Sequence, residues 1–226
     1  MSGSAPSKGL FITFEGGEGV GKSTQIAKLN SRLRDQKIPV VSTREPGGTP
    51  GAEAIREVLL SGSVESLGPE VEALLFAAAR LDHVQSVIEP ALKAGKVVLC
   101  DRFIDSTRAY QGNSGKVSDE TLSMLENLIR QRAWPDVTYI LDIDPKLGFE
   151  RIRERNGTDD SPDRFEKEDL KEQRSRRDAF LSIAIEEPER CAVIAADRRI
   201  DEIHEEIWQH LSMKLDISNV EKDQKK

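Results

Sequence analysis

The chain has 226 residues, 37% of them hydrophobic and 32% charged, and a formal net charge of −7. That length builds one well-buried domain or at most two small ones. The acidic balance argues against a general nucleic-acid binder, which would carry a basic surface. No apolar run approaches the roughly 20 residues that span a bilayer, and the N-terminal MSGSAPSKG lacks the apolar core of a signal peptide. Neither export nor a membrane partner is expected. The two cysteines, Cys100 and Cys191, are too few for a disulfide framework, so the expected compartment is the cytoplasm.

The first predicted strand, Leu10–Phe14, leads into FITFEGGEGVGKST, residues Phe11 to Thr24. A helix follows, with Ile26, Leu29 and Leu33 on one side. Between them Gly16, Gly21, Lys22 and Ser23 fill the fixed positions of G-x-x-x-x-G-K-S, so strand, glycine loop and helix occur in the order a phosphate-binding loop needs. Gly16, Gly17, Glu18, Gly19, Val20 and Gly21 can turn successive N–H groups into one concavity at the helix N-terminus, an anion site. Lys22 adds a positive charge for the β- and γ-phosphates, the Ser23 hydroxyl is placed for Mg²⁺, and Thr24 completes the ATP-binding stretch.

The second predicted strand, Pro39–Thr43, runs into TREPGGT, residues Thr43 to Thr49. Pro46 restricts the backbone before it and admits a cis bond. The connection Pro50–Gly95 holds a pair of helices. In its EVEALLFAAARLDHV segment Glu72, Phe76 and Arg80 share one helical face. Phe76 and Arg80 together offer a ring to stack on a planar base and a fork of donors for its carbonyls; an aromatic among leucines and alanines also reads as core. The third strand, Val97–Cys100, ends in Asp101 and Arg102, the latter able to grip a phosphate bidentately. In the IDSTRAYQG that follows, Thr107, Tyr110 and Gln111 are i, i+3, i+4 neighbours. A second helix pair fills Ile104–Ala133.

The last predicted strands are Val137–Leu141 and Cys191–Ala195. Between them Arg151, Arg153, Arg155, Arg164, Arg174, Arg176 and Arg177 crowd one segment of an otherwise acidic chain. Short apolar strands alternating with helices predict an α/β fold, a three-layer sandwich with a five-stranded parallel sheet covered on both faces. The informative residues then gather at the C-terminal strand edge, where such folds bind ligands. Residues 1–217 read as one domain, and the polar tail 218–226 as disordered.

A phosphate-binding loop serves several classes of protein. A GTPase switch would carry an NKxD-type guanine motif and a DxxG switch, and neither is in the sequence. A remodelling ATPase would usually be longer and end a strand in adjacent acids, whereas here Asp101 is followed by an arginine. A small-molecule kinase needs cations for a second anionic substrate, which the arginines provide. A non-catalytic nucleotide-binding protein is the alternative, against which the intact Lys22, Ser23, Asp101 and Arg102 argue.

GGEGVGKS, TREPGGT, the FxxxR pair, DRF and STRAYQG, in this order, resemble the thymidylate kinases, a P-loop nucleoside monophosphate kinase family that phosphorylates dTMP to dTDP with ATP on the way to dTTP. The resemblance runs from about Leu10 to Leu211. It implies that Phe76 stacks on thymine, that Arg80, Thr107 and Gln111 read its edge, and that Tyr110 lies against the sugar and disfavours a 2′-hydroxyl. It implies Arg44, Arg56 and Arg102 around the 5′-phosphate, Glu45 near the phosphate and magnesium, and Asp101 organising Mg²⁺ or its waters together with Ser23. Phe103 stands where the family more often carries Tyr. RIRERNGTDDSPDRFE, residues 151–166, looks like the lid over ATP, and with Gly19 in the loop the arrangement is similar to the bacterial type. The transition-state arginine is then Arg153 or Arg155, with Lys22, Asp101 and Arg102 completing the catalytic set. A homodimer packed through helices is implied as well.

Overall fold

The computed structural model describes residues 9–112, 115, 117–156 and 170–215. Among the described residues five strands form one sheet in the order β2-β3-β1-β4-β5, with every neighbouring pair parallel. They are β1 (Leu10–Glu15), β2 (Val40–Arg44), β3 (Val97–Asp101), β4 (Val137–Asp142) and β5 (Cys191–Ala195). The helices are α1 (Lys22–Asp35), α2 (Pro50–Leu60), α3 (Pro69–His83), α4 (Glu89–Lys93), α5 (Ile104–Thr107), α6 (Asp119–Arg130), α7 (Pro145–Asn156), α8 (Leu170–Glu186) and α9 (Ile200–Leu215). The predicted α/β sandwich with a five-stranded parallel sheet is the observed one.

Both faces of the sheet are covered, so its central strands are apolar on both sides. One face packs Ile12, Phe14, Leu99 and Tyr139 against Ile26, Leu29 and Leu33 of α1 and Ile207 and Leu211 of α9. The other packs Phe11, Val98 and Cys100 against Val84, Ile88, Phe103 and Ile129. Each such side chain contributes about 1.5–3 kcal/mol of burial.

Four strands extend one residue beyond their sequence-predicted ends, because the parallel ladder continues into polar residues. Asp101 pairs with Phe14 on one side and Arg44 on the other. Glu15, Asp101 and Asp142 therefore sit on strands. Two helical segments contain wide turns, Val84–Ile88 between α3 and α4 and Arg108–Gly112 after α5. Pro90 accounts for the first, since it has no N–H for the carbonyl four residues back.

Candidate active site

α1 begins at Gly21, whose left-handed backbone (φ 96°) carries no side-chain cap, so the first-turn N–H groups face the glycine loop. Lys22 Nζ donates to Gly16 O at 3.1 Å and Gly17 O at 2.7 Å. Burial lowers the Lys22 pKa and Arg102 pushes it the same way, against the attraction of Glu18 and Asp101. Ser23 Oγ donates to Asp101 Oδ2 at 2.9 Å. A hydroxyl and a carboxylate held together at the phosphate loop are hard oxygen donors of the kind Mg²⁺ takes. The cleft above them, about 1370 Å³ including open solvent, is lined by Gly19, Val20, Gly21 and Thr24 and by Arg151 and Arg198 across from the loop.

Arg102 joins this cleft to a second pocket. Its φ of 66° is left-handed, at a cost of about 1–2 kcal/mol for a residue other than glycine. The N–H donates to Phe14 O at 2.9 Å, and the guanidinium reaches Gly16 O at 3.1 Å, Ser106 Oγ at 3.2 Å and Glu18 Oε1 at 2.6 Å. Glu15 fixes the turn that follows. Its carboxyl accepts from Phe103 N at 2.7 Å, Ser106 N at 3.3 Å and Ser106 Oγ at 2.7 Å. Burial, with Asp105 adding to it, pushes the Glu15 carboxyl up to about 7. Asp105 is itself buried and accepts from Arg190 at 2.7 and 3.0 Å.

The second pocket, about 640 Å³ including open solvent, is lined by Phe76, Arg80, Thr107 and Gln111, by Tyr110, and by Glu18, Arg56 and Arg102 where it meets the first cleft. Arg80 is held on three sides: Nε donates to Glu45 Oε2 at 2.6 Å, one terminal nitrogen to Thr107 Oγ1 and the other to Phe103 O, each at 3.0 Å. Arg80 and Glu45 are each 3% exposed, so neither can lose the other without stranding a buried charge. His83, fully buried, steadies the same carboxylate: Nδ1 donates to Glu45 Oε1 at 2.9 Å, and Nε2 accepts from the Thr43 hydroxyl at 2.6 Å. Asp82 takes the Thr49 hydroxyl, and Glu45–Pro46 is cis. Gly48 is required where the loop crosses α3, because a Cβ there would meet the His83 ring at 2.7 Å. TREPGGT and the ARLDH of α3 thus form one unit.

Glu45, His83 and Cys100 present donor atoms within 4.8 Å of one another, but all are committed. Glu45 balances Arg80, His83 bridges Glu45 and Thr43, and Cys100 Sγ donates to Arg102 O at 3.1 Å. Gln111 Nε2 donates to the buried Glu72 Oε1 at 2.9 Å, which orients the amide toward the pocket. Tyr110 OH donates to Glu18 Oε1 at 2.9 Å.

Phe76 faces the pocket half-buried rather than joining the core. Arg56 donates to Pro46 O at 2.9 Å and lines both cavities. Arg44 shares the phosphate-loop cleft with Arg56 and Arg102. It is exposed, forked onto Glu53 at 3.0 Å, and lines only the cleft on the phosphate-loop side. Of the expected transition-state arginines, Arg153 is exposed on α7, while Arg151 is the one that lines the cleft and donates to Ala196 O at 3.0 Å. The Arg155 side chain, the lid beyond Asn156 and the tail 218–226 lie outside the described residues. Glu15, Glu72, His83, Ser106 and Arg176 were not singled out from the sequence as site residues. The signal for His83 was its i, i+3 spacing from Arg80.

Comparison with known proteins agrees with this geometry. The profile of the family described as Thymidylate kinase matches residues 14–207. Two proteins named thymidylate kinase, from Bradyrhizobium sp. strains ORS 278 and BTAi1, are each 50% identical over 210 residues, 93% of this chain and 92% of theirs. The crystal structure of thymidylate kinase from Ehrlichia chaffeensis aligns with a TM-score of 0.71 at 34% identity, covering 91% of this chain and all of that one. With the phosphate loop and the second pocket where such an enzyme needs them, the chain belongs to the thymidylate kinase family.

Proposed function

We propose that this protein transfers the γ-phosphate of ATP to dTMP, giving dTDP and ADP. The observation that carries the reading is the second pocket: a half-buried ring, a buried arginine fork and a tethered amide converge beside the phosphate loop. That set suits a flat base with carbonyl edges, stacked on Phe76 and read by Arg80, Thr107 and Gln111. Arg56 and Arg102 lie at the other end, toward the loop, where a 5′-phosphate would sit.

A phosphate acceptor has a second pKa of about 6 and needs little help from a base at neutral pH. Its difficulty is approaching another polyanion, which costs about 4 kcal/mol per unit charge pair at 4 Å and an effective dielectric of 20. Lys22 and Arg102, which meet at the Gly16 carbonyl, offset that repulsion, so the chemistry rests on positioned charge. For this Lys22 exchanges the carbonyls of Gly16 and Gly17 for phosphate oxygens. Arg151 stands at the far wall, and Arg153 or Arg155 of the lid is proposed to stabilise the transferring group. Ser23 and Asp101 would hold Mg²⁺, which supplies charge neutralisation on the triphosphate.

Val58 of α2, Leu74 of α3 and Met124 and Leu128 of α6 are exposed apolar side chains on three helices, with α3 packed against the other two. They support a homodimer packed through these helices. A cytoplasmic location fits the free, buried Cys100 and Cys191. No helix among the described residues is long and apolar enough to cross a membrane.

The test is ADP release with Mg-ATP and each of dTMP, dUMP, dCMP, AMP and GMP. Strong turnover is expected on dTMP, and weaker but detectable turnover on dUMP, since one methyl group in a pocket is worth about 1–3 kcal/mol. Equal efficiency on dUMP, or preference for a purine nucleotide, would overturn the base-reading roles.

A further inference from the structure

One buried arginine of the cluster lines neither the cleft of Lys22 and Ser23 nor the acceptor pocket. Arg176, on α8, is 8% exposed, and its guanidinium carbon stands 3.7 Å from the centroid of the Tyr110 ring. Its neighbour Arg177 turns the other way and forks onto Asp142 at 2.6 and 2.8 Å. Arginine is seldom buried unless something holds it there, and here that is an aromatic face and a carboxylate. The Tyr110 hydroxyl is bonded to Glu18, which Arg102 also grips at 2.6 Å. Burial works to raise the Glu18 carboxyl, but Arg102, Lys22, the Tyr110 hydroxyl and Arg176 together bring it down to about 2. Phe180, one turn further along α8, meets the Tyr110 ring edge-on at 6.3 Å. Tyr110 is therefore fixed at its hydroxyl, at one edge and over its ring, where Arg176 makes the closer of two guanidinium contacts and Arg102, 5.1 Å from the centroid, the other.

We propose that Arg176 is a specificity-determining positioning residue: stacked on Tyr110 beside Glu18, it holds the ring as a rigid wall against the sugar of the acceptor and sets the preference for 2′-deoxyribose over ribose. This rests on the dTMP reading above. An added hydroxyl is hard to reject by pocket shape alone, so the discrimination depends on how little the wall yields. Tyr110 lies between the base-reading end of the pocket and the phosphate loop, where the sugar of a nucleoside monophosphate must lie. Tyr110 touches the acceptor, and Arg176 acts through it.

The experiment compares wild type, Arg176→Met and Arg176→Lys on dTMP and on ribothymidine 5′-monophosphate at saturating Mg-ATP, with melting curves and the KM for ATP alongside. Arg176→Met is expected to narrow the ratio of kcat/KM for the two acceptors by about 5- to 30-fold, the range that loss of a desolvated cation–π contact covers. The KM for ATP should stay within about twofold, since Arg176 lies outside the cleft lined by Lys22 and Ser23. Arg176→Lys, a cation without the planar guanidinium, should move the ratio less. If Arg176→Met does not fold, the shift in Arg176→Lys carries the test. A ratio unmoved in the folded variants, with turnover on both acceptors lowered equally or not at all, would overturn the assignment while leaving the dTMP reading intact. Wild-type protein that turns over neither acceptor would overturn both.

Discussion

On the phosphate-loop side, most ligand-facing groups come from one contiguous stretch, residues 18–25, whose shape is set by glycine backbone and a helix N-terminus, with Asp101, Arg151 and Arg198 closing the cleft around it. On the acceptor side they come from the phosphate loop, the loop after β2, α2, α3 and the turn after β3, and most are held by side-chain bonds: Arg80 to Glu45 and Thr107, His83 to Glu45, Gln111 to Glu72, and Tyr110 to Glu18. The first arrangement is a mould for a polyanion that any nucleoside triphosphate could fill. The second is assembled before its ligand arrives, and selectivity is the return on that assembly, because a site whose polar groups are already oriented rejects a base that cannot satisfy them. A network has a weakness that a backbone mould lacks: removing one member strands the others.

The largest expected effect exposes that weakness. Arg80→Met leaves the Glu45 carboxylate buried without its cation and should destabilise the fold by about 3–5 kcal/mol in urea titrations. The double variant Arg80→Met/Glu45→Gln should recover part of the loss. Equal destabilisation of single and double variants would contradict the ion-pair account.

On the phosphate-loop side, Lys22→Met should cut turnover by about 10²–10³, as loss of one preorganised transition-state donor does, while dTMP binding persists. Loss of dTMP binding as well would mean that the two sides are not built independently.

Glu15 sharpens the comparison through pH. Its carboxyl sits at about 7 against an ordinary 4.5, so between those values the folded protein keeps a proton that the unfolded chain has released. The stability this group contributes is fully present below pH 4.5 and declines as pH rises toward 7. Glu15→Gln keeps a neutral acceptor for Phe103 N and should remove that decline. Its melting curve should then gain on wild type from pH 5 to pH 8, and parallel curves would refute the raised carboxyl.

The smallest effect is expected at the rim. Arg44 and Glu53 are both well exposed, so Arg44→Ala should cost no more than about 1 kcal/mol of stability.

The phosphate loop was legible in the sequence because its geometry is local: the residues that bend the chain and those that meet the ligand are the same short run. The five strands were legible for a similar reason, with their ends read short, because side-chain polarity changes at Glu15, Arg44, Asp101 and Asp142 while the hydrogen-bond ladder continues. The acceptor residues Phe76, Arg80, Thr107, Tyr110 and Gln111 were legible as helical neighbours and through the family resemblance. Phe76 read equally as core, because nothing local says which side of α3 has protein behind it. Glu15, His83 and Arg176 act only through partners far along the chain, Ser106, Glu45 and Tyr110. Their roles belong to the tertiary fold, and only His83 leaves a local trace, its spacing from Arg80. Helical spacing separates Arg153 from Arg151, and α7 gives Arg151 a place at the cleft and leaves Arg153 to solvent.

The contrast between a mould and a preassembled pocket is tested most directly by titrating dTMP calorimetrically into the nucleotide-free protein, with and without a non-hydrolysable ATP analogue and Mg²⁺. The account predicts saturable binding of one dTMP per chain in both cases, with affinities within about tenfold of each other, a coupling below about 1.4 kcal/mol. Binding of dTMP only once the analogue is present would contradict it, because the acceptor pocket would then be a product of closure over ATP.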